Sequence, residues 1–198
     1  MAHLEYFENS KNSILCEPSQ KIEFPLSEDQ KQCIKHLIKF HDALGGVGLA
    51  APQIGYSWSI MIVEISKDAA SIRDHATPFE KTVFINPSYT PQKNAKIVED
   101  FEGCFSLKDT CGWVPRYNKI HFQAFDEKGI FFEWDAEGFL ARVLQHETDH
   151  LDGILIKDRM NEDSVQGSLH EMIEKRRNSL PLDKRAIFDK IRKKQTEN

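Results

Sequence analysis

The segment from Phe139 to Leu151 predicts a helix that is buried around most of its circumference. One row at helical spacing holds Phe139, Val143, His146 and His150, and a parallel row holds Leu140, Leu144, Glu147 and Leu151. Side chains three and four positions apart share a helix face, so the two rows form adjacent apolar stripes. Other elements must therefore pack around this helix, which limits the folds open to the chain more than any other feature does.

Polar residues interrupt both stripes in the order His146, Glu147, His150. Two histidines four residues apart can bind one metal ion, and a glutamate beside them can exchange protons with a water on that ion. A buried glutamate is also costly unless a nearby charge compensates it. The alternative is that both histidines are ordinary hydrogen-bonded core residues. Because the pattern rarely arises by chance, it favours a metal site.

The residues alone leave the third metal ligand open. The metzincin pattern would require a third histidine where this chain has Ile156, which argues against that class of protease. Other zinc peptidases use a downstream glutamate, for which Glu171 and Glu174 are available. Upstream, Cys104 stands at an apparent strand end and Cys111 could compete with it. A buried cysteine is, however, often only a small apolar residue.

A run of small residues, GVGLAAPQ, extends from Gly46 to Gln53. Small side chains allow the backbone of a substrate to lie close to the chain. The alternative is an ordinary turn. The run lacks the Gly-Lys-Ser/Thr ending of a phosphate-binding loop, so that function is not indicated.

Helices at both ends enclose a middle rich in strands. Ser27 and Gln30 form a capping-box pattern that predicts a helix over about residues 28–44. The buried helix is predicted over about 136–151, and Asp126–Gly129 predicts a hairpin turn. Strands are predicted at Ile60–Ile65, Thr82–Asn86, Ile97–Phe101, Trp113–Phe125 and Ile130–Trp134.

Length and composition indicate one ordinary globular domain. A chain of 198 residues is long enough for a single large core, with 1–160 predicted as the catalytic part and 161–198 as a helical extension. The net charge of -5 does not suggest binding to nucleic acid, and no apolar run predicts a membrane span. Four irregularly spaced cysteines favour a reducing compartment, so a cytoplasmic location is expected.

Three segments together resemble the peptide deformylase family. They are GVGLAAPQ at Gly46–Gln53, EGCFS at Glu102–Ser106 and QHETDHLDG at Gln145–Gly153. Each segment is a modest signal, whereas their occurrence together and in this order is highly specific. The resemblance covers about Ala43–Met160 and fades outside it.

This resemblance implies an α+β fold in which antiparallel sheets surround the helix that carries the two histidines. It implies hydrolysis of the N-terminal formyl group from polypeptides that begin with formylmethionine, with release of formate. The alternatives are a zinc peptidase with a glutamate as third ligand and a metal-stabilised binding module without turnover. Cys104, His146 and His150 would bind the metal and leave a fourth position for water. The implied metal is Fe²⁺, with Zn²⁺, Ni²⁺ or Co²⁺ as possible replacements.

The resemblance also assigns roles in catalysis. Glu147 is the expected general base, which takes a proton from the water and returns it to the departing amine. The Gln53 side-chain amide and the backbone N–H of Phe105 are expected to stabilise the oxyanion. Glu102, Gln145 and Asp149 are expected to support the metal ligands through hydrogen bonds.

Substrate binding is expected along the glycine-containing segment. The peptide would pair in extended form with Gly46, Val47 and Gly48, as an added strand. An apolar pocket for the methionine side chain would then be lined by Val47, Phe139, Val143 and the aliphatic stem of Arg142.

The chain departs from the family pattern after the cysteine. Lys108 stands where the family often has proline, and Phe105 replaces a smaller aliphatic residue. Cys111 replaces an arginine that commonly holds the substrate backbone, and Arg116 is the candidate to take that role.

A basic tail raises the question of binding to the ribosome. Some family members carry a basic C-terminal helix that docks there, and a merely solvated helix is the favoured alternative. The candidate residues are Lys184, Arg185, Lys190, Arg192, Lys193 and Lys194.

Overall fold

A computed structural model describes residues 3–4, 14–73, 76–107 and 110–196 of the chain. Its first half contains α1 (Glu28–Leu44), β1 (Gly48–Ala50), β2 (Ile60–Ile65), α2 (Lys67–Ser71), β3 (Phe79–Pro91) and β4 (Ile97–Glu102). Its second half contains β5 (Cys111–Tyr117), β6 (Lys119–Phe125), β7 (Phe131–Glu137), α3 (Gly138–Leu151), α4 (Ile156–Arg159), β8 (Gln166–Gly167), α5 (Leu169–Ser179) and α6 (Leu182–Thr196).

The strands form two antiparallel sheets in the described part of the chain. The larger sheet has the order β1-β2-β3-β6-β7, and the smaller has the order β4-β5-β8. The expected α+β class with antiparallel sheets is confirmed. Among the described residues, no helix is long and apolar enough to cross a membrane.

Both faces of the larger sheet are buried at β2, which explains the unbroken apolar run of this strand. Met61 and Val63 belong to the core cluster that also contains Ala141 and Leu144 of α3. Ile60 and Ile62, with the opposite side-chain direction, belong to the cluster formed with α1. Helix α3 therefore lies against one face of the larger sheet and α1 against the other.

The ends of α1 agree with the sequence prediction. Ser27 accepts a hydrogen bond from the Gln30 backbone, and the Gln30 side chain accepts one from the Ser27 backbone. Gly45 ends the helix in the left-handed conformation, with φ of 64°.

Several predicted boundaries were wrong. Strand β3, predicted at Thr82–Asn86, extends from Phe79 to Pro91. The run Trp113–Phe125 is two strands, since β5 pairs with β4 in one sheet and β6 pairs with β3 in the other. Helix α3 begins at Gly138 rather than at 136, because Ala136 and Glu137 pair with β6 as the end of β7. An alternating pattern does not reveal that a chain changes sheets at Asn118.

The tail is helical, as the sequence predicts, and forms the two helices α5 and α6. Helix α5 opens with a capping box between Ser168 and Glu171. The two helices share an apolar cluster with α2, formed by Ile72, Leu180 and Phe188 with Ile173, Ile187 and Ile191. The division of the chain at residue 160 stays a prediction.

Candidate metal centre

Helix α3 presents both histidines of the motif on one face. The chain turns directly from β7 into this helix at Gly138, which has a φ of 61°. The ring centroids of His146 and His150 are 5.1 Å apart. Their fixed spacing comes from the helix itself, since positions four apart lie one above the other.

Cys104 reaches the histidines from the smaller sheet, two residues after β4 ends. Its Sγ atom is 3.2 Å from Nε2 of His150. One donor atom from each of Cys104, His146 and His150 lies within 4.8 Å of the other two. A thiolate and two imidazoles are donors that suit zinc and iron, so this set fits one divalent ion.

Glu102 fixes the orientation of one histidine ring. Its Oε2 atom is 2.8 Å from Nδ1 of His146, which leaves Nε2 of that ring to face Cys104 and His150. Burial opposes the charge of Glu102, but Arg116 and His146 hold the pKa of this carboxyl well below its usual value. Glu102 therefore stays an anion beside the ligands.

The surroundings shift the pKa values of the two histidines in opposite directions. Burial disfavours the charged form of His146, yet hydrogen bonds to Cys104 and Glu102 raise its pKa well above the usual value. Burial, helped by the charge of His146, lowers the pKa of His150 well below its usual value. The neutral form of His150 is therefore favoured, which is the form of histidine that binds a metal ion.

Arg116 links the metal helix to the smaller sheet. It donates two hydrogen bonds to Glu102, each 3.0 Å long, and a third to Asp149. Arg142 also donates to Glu102, at 2.7 Å, and to the carbonyl of Val114 at 2.7 Å. The negative charge of Glu102 is therefore compensated from two sides.

These contacts show which of the residues expected to support the site lie against a candidate ligand. Glu102 contacts His146, one of the candidate ligands, whereas the Gln145 side chain binds the backbone N–H and carbonyl of Tyr117. Asp149 pairs with Arg116 and Arg159 instead of a ligand. The expectation that Arg116 holds the substrate backbone is contradicted, because its buried guanidinium is committed to two carboxylates.

Glu147 lies buried next to the backbone of Gly48. Burial raises its pKa to about 7, with His146 opposing and Glu102 adding to the shift. A Cβ built at Gly48 would lie only 2.4 Å from Oε1 of Glu147. A glycine at this position therefore leaves room for the Glu147 side chain. The sequence analysis expected the small residue to leave room for a substrate backbone instead.

The side-chain carbonyl of Gln53 holds this residue beside the candidate metal ligands. Its Oε1 atom accepts from the backbone of Ala50 at 2.9 Å. This contact directs Nε2 toward Sγ of Cys104, 3.7 Å away, and toward Oγ of Ser106, 3.3 Å away. The amide donor thus points into the site, and the backbone of Phe105 follows Cys104 directly.

The Phe105 side chain packs against the glycine-containing segment. A Cβ at Gly46 would lie 2.5 Å from Cε2 of the Phe105 ring. Gly46 therefore leaves room for the Phe105 ring, which is larger than the aliphatic side chain usual at that position in the family. Lys108, the other departure next to it, lies outside the described residues.

A cavity of about 430 Å³ opens above the donors. Whereas His150 and Arg116 do not line it, its lining includes most of the residues for which the sequence predicts catalysis, substrate binding or metal binding. These residues are Gly46, Val47, Gly48, Gln53, Cys104, Phe105, Phe139, Arg142, Val143, His146 and Glu147.

The other candidate ligands lie elsewhere. Cys111 is buried in an apolar cluster with Phe101 and Met172. Glu171 accepts from the backbone and hydroxyl of Ser168 as part of the α5 cap. Glu174 is exposed on the same helix. Neither glutamate belongs to a ligand group within the described ranges, so the alternative with a glutamate ligand has no support.

A second group of possible ligands is formed by His41, Asp42 and Glu64. The ammonium of Lys81 contacts both carboxylates of this group, at 3.2 Å in the case of Glu64. The Lys81 ammonium already pairs with both acids, so this group is an ion-pair cluster.

Two histidines and a thiol that converge beneath a cavity, with a buried glutamate beside them, define a metal-dependent hydrolase. The model of the polypeptide deformylase family matches residues 5–166. Peptide deformylase 2 of Rickettsia conorii is 40% identical over 160 residues, which are 79% of this chain and 79% of that protein. Peptide deformylase 1 of Nitrosomonas europaea is 36% identical over 148 residues, or 75% and 82% of the two chains.

Solved structures give the same result. A peptide deformylase from Acinetobacter baumannii bound to Met-Ala-Ser superposes with a TM-score of 0.68 at 26% identity, covering 81% of this chain and 100% of that one. A Synechococcus elongatus deformylase in complex with actinonin gives a TM-score of 0.67 at 26% identity, covering 82% and 80%. The chain belongs to the polypeptide deformylase family.

Proposed function

We propose that this chain removes the N-terminal formyl group from newly made polypeptides that begin with formylmethionine, and releases formate. Family membership supports this reaction. The observation that carries it is the convergence of Cys104, His146 and His150 at the wall of a cavity that Cys104, His146 and Glu147 line.

One divalent ion held by Cys104, His146 and His150 is part of the proposal. Fe²⁺ is the expected metal, with Zn²⁺, Ni²⁺ or Co²⁺ as alternatives, because sulfur and imidazole donors suit all four. When bound, the ion would supply a Lewis acid that lowers the pKa of water and polarises the formyl oxygen. Glu102 contributes by fixing the tautomer of His146.

Glu147 is the proposed general base. A carboxyl group with a pKa of about 7 can both accept and release a proton near neutral pH. In the described part of the chain its buried Oε2 atom has no hydrogen-bond partner, so it is available to a reacting water. The same carboxyl group would return the proton to the leaving amine.

Stabilisation of the oxyanion is assigned to Gln53 and Phe105. The Gln53 amide is preorganised, since its carbonyl is bound to the Ala50 backbone and its Nε2 faces Cys104. The Phe105 backbone N–H would be the second donor. Removing one donor of this kind typically costs about 10²-fold or more in rate.

The substrate backbone is proposed to pair with the free edge of β1. This strand is the first in its sheet and has β2 as its neighbour. The carbonyl of Val47 accepts from Glu64 of β2, at 2.9 Å. Because directions alternate along a strand, Gly48 turns its backbone groups toward the open edge. The methionine side chain would lie among Val47, Phe139, Val143 and the stem of Arg142.

Docking on the ribosome receives little support from the contacts of the tail. Arg185 donates to the carbonyls of Leu180 and Asn178, and Lys190 pairs with Asp68 at 2.8 Å. Arg192 lines the cavity. The Lys194 side chain lies outside the described part. We retain N-formylmethionyl peptides as the partner and a cytoplasmic location as expectations.

Release of formate from formyl-Met-Ala by iron-loaded protein, prepared without oxygen, tests the proposal. We expect Glu147→Gln to retain the metal and to lose nearly all activity, because its amide cannot accept the proton. Glu174→Gln, exposed on α5, is the matched control and should behave as the unmutated chain. Normal turnover by Glu147→Gln would remove the proton-transfer role, and an inactive unmutated chain would remove the proposed reaction.

A further inference from the structure

The two C-terminal helices line the cavity that contains the metal ligands. Helix α5 contributes Leu169 and Ile173 to its wall, and α6 contributes Phe188, Ile191 and Arg192. The family model ends at residue 166, so all five residues lie beyond it. The cavity is therefore lined by residues of the family domain, among them the candidate metal ligands, and by tail residues that are apolar except for Arg192.

Contacts connect the tail to the wall proposed for methionine. Arg176 of α5 pairs with Asp100 of β4 at 3.6 Å, and Arg73 pairs with the same carboxyl at 3.4 Å. The Arg73 guanidinium lies over the ring of Phe139, 4.8 Å from its centroid. Helix α5 is thus fixed against the same side of the cavity as Phe139.

The tail is held in place by both apolar packing and ion pairs. Phe188 of α6 and Leu180 are buried against Ile72, next to α2. Lys190 of α6 pairs with Asp68 of α2 at 2.8 Å. Arg177 of α5 pairs with Asp189 of α6 at 2.8 Å. These contacts make the two helices a fixed wall of the cavity.

We propose that Leu169, Ile173 and Ile191 form the far end of the pocket for the first side chain of the substrate and set the longest side chain it accepts. All three are partly exposed and line the cavity together with Val47, Phe139 and Val143. The inference rests on the proposed deformylase function, since that function supplies the methionine. The tail then acts as a specificity determinant and takes no part in the chemistry.

Side chains of different size at these positions test the proposal. Ile191→Trp and Ile173→Trp fill the far end, so kcat/KM for formyl-Met-Ala should fall by about tenfold or more, mainly through KM. Formyl-2-aminobutyryl-Ala, with a shorter first side chain, should be unaffected. Ile191→Ala lengthens the pocket and should raise kcat/KM for formyl-ethionyl-Ala, relative to formyl-Met-Ala, by about tenfold.

Leu182→Trp provides the matched control, because Leu182 is 80% exposed on the same helix and does not line the cavity. Metal content and melting temperature are measured for every variant. Equal effects on long and short first side chains, or no effect, would overturn the inference while the unmutated chain remains active. If the tryptophan variants do not fold, an unchanged ethionine preference in Ile191→Ala overturns it. Absence of formate release by the unmutated chain would instead refute the proposed function.

Discussion

Adding one methyl group at Gly48 should displace the catalytic glutamate without touching a metal ligand. The new Cβ would lie 2.4 Å from Oε1, 2.6 Å from Cδ and 2.7 Å from Cγ of Glu147. All three distances are shorter than contacts that real Cβ atoms make. Because three atoms of the side chain are affected, a small rotation of one oxygen cannot relieve the overlap.

The size of the required shift gives the expected loss of activity. An ordinary contact begins at 3.4 Å, so Oε1 must move by about 1 Å. A misplacement of about 1 Å at a reacting group can cost on the order of 10²-fold in rate. We therefore expect Gly48→Ala to lower kcat by about 10²-fold, while the metal ligands keep their contacts.

Formate release and metal content measured on the same preparations test this expectation. Gly103→Ala is the control, because a Cβ there would meet its nearest atom, Cβ of Cys111, at 3.9 Å. That variant adds a methyl group next to Cys104 without an overlap. A normal kcat in Gly48→Ala, with normal metal content, would refute the argument that this glycine positions Glu147.

Two further predictions concern the ligands and their support. Cys104→Ala should abolish metal retention, because it removes the only sulfur donor of the group, whereas Glu171→Ala should retain the metal; metal analysis after dialysis distinguishes them, and the opposite pattern would favour a glutamate ligand. Arg116→Ala should lower the free energy of unfolding by about 3–5 kcal/mol, because it leaves the buried Glu102 and Asp149 without their shared cation. Urea unfolding measures this loss, and a midpoint close to that of the unmutated chain would show that the network contributes little to stability.

Local signals in the sequence predicted the parts of the fold that depend on neighbouring residues. Ser27, Gln30 and Gly45 define the ends of α1 through contacts within a few positions, so the helix was predicted correctly. The spacing of His146 and His150 is likewise a property of one helix. The proximity of Cys104 to them could not follow from spacing, and only the resemblance to a family supplied it.

Features that depend on distant contacts escaped prediction. The alternating pattern from Trp113 to Phe125 is the same in one sheet as in two, so the break at Asn118 gave no signal. Arg116 looked available to a substrate because its two buried carboxylate partners lie 14 and 33 positions away in the sequence. That Leu169 and Ile173 of the tail line the cavity also gave no signal, because the other residues of its lining are distant in the sequence.

The origin of the three donor atoms has a consequence for the mechanics of the molecule. Both imidazoles belong to α3, whereas the sulfur belongs to the chain that leaves the smaller sheet. An ion shared by them would act as a cross-link between two separately built layers. Demetallation would then loosen the attachment of the smaller sheet, and the helices resting on it, before it disturbed the larger sheet.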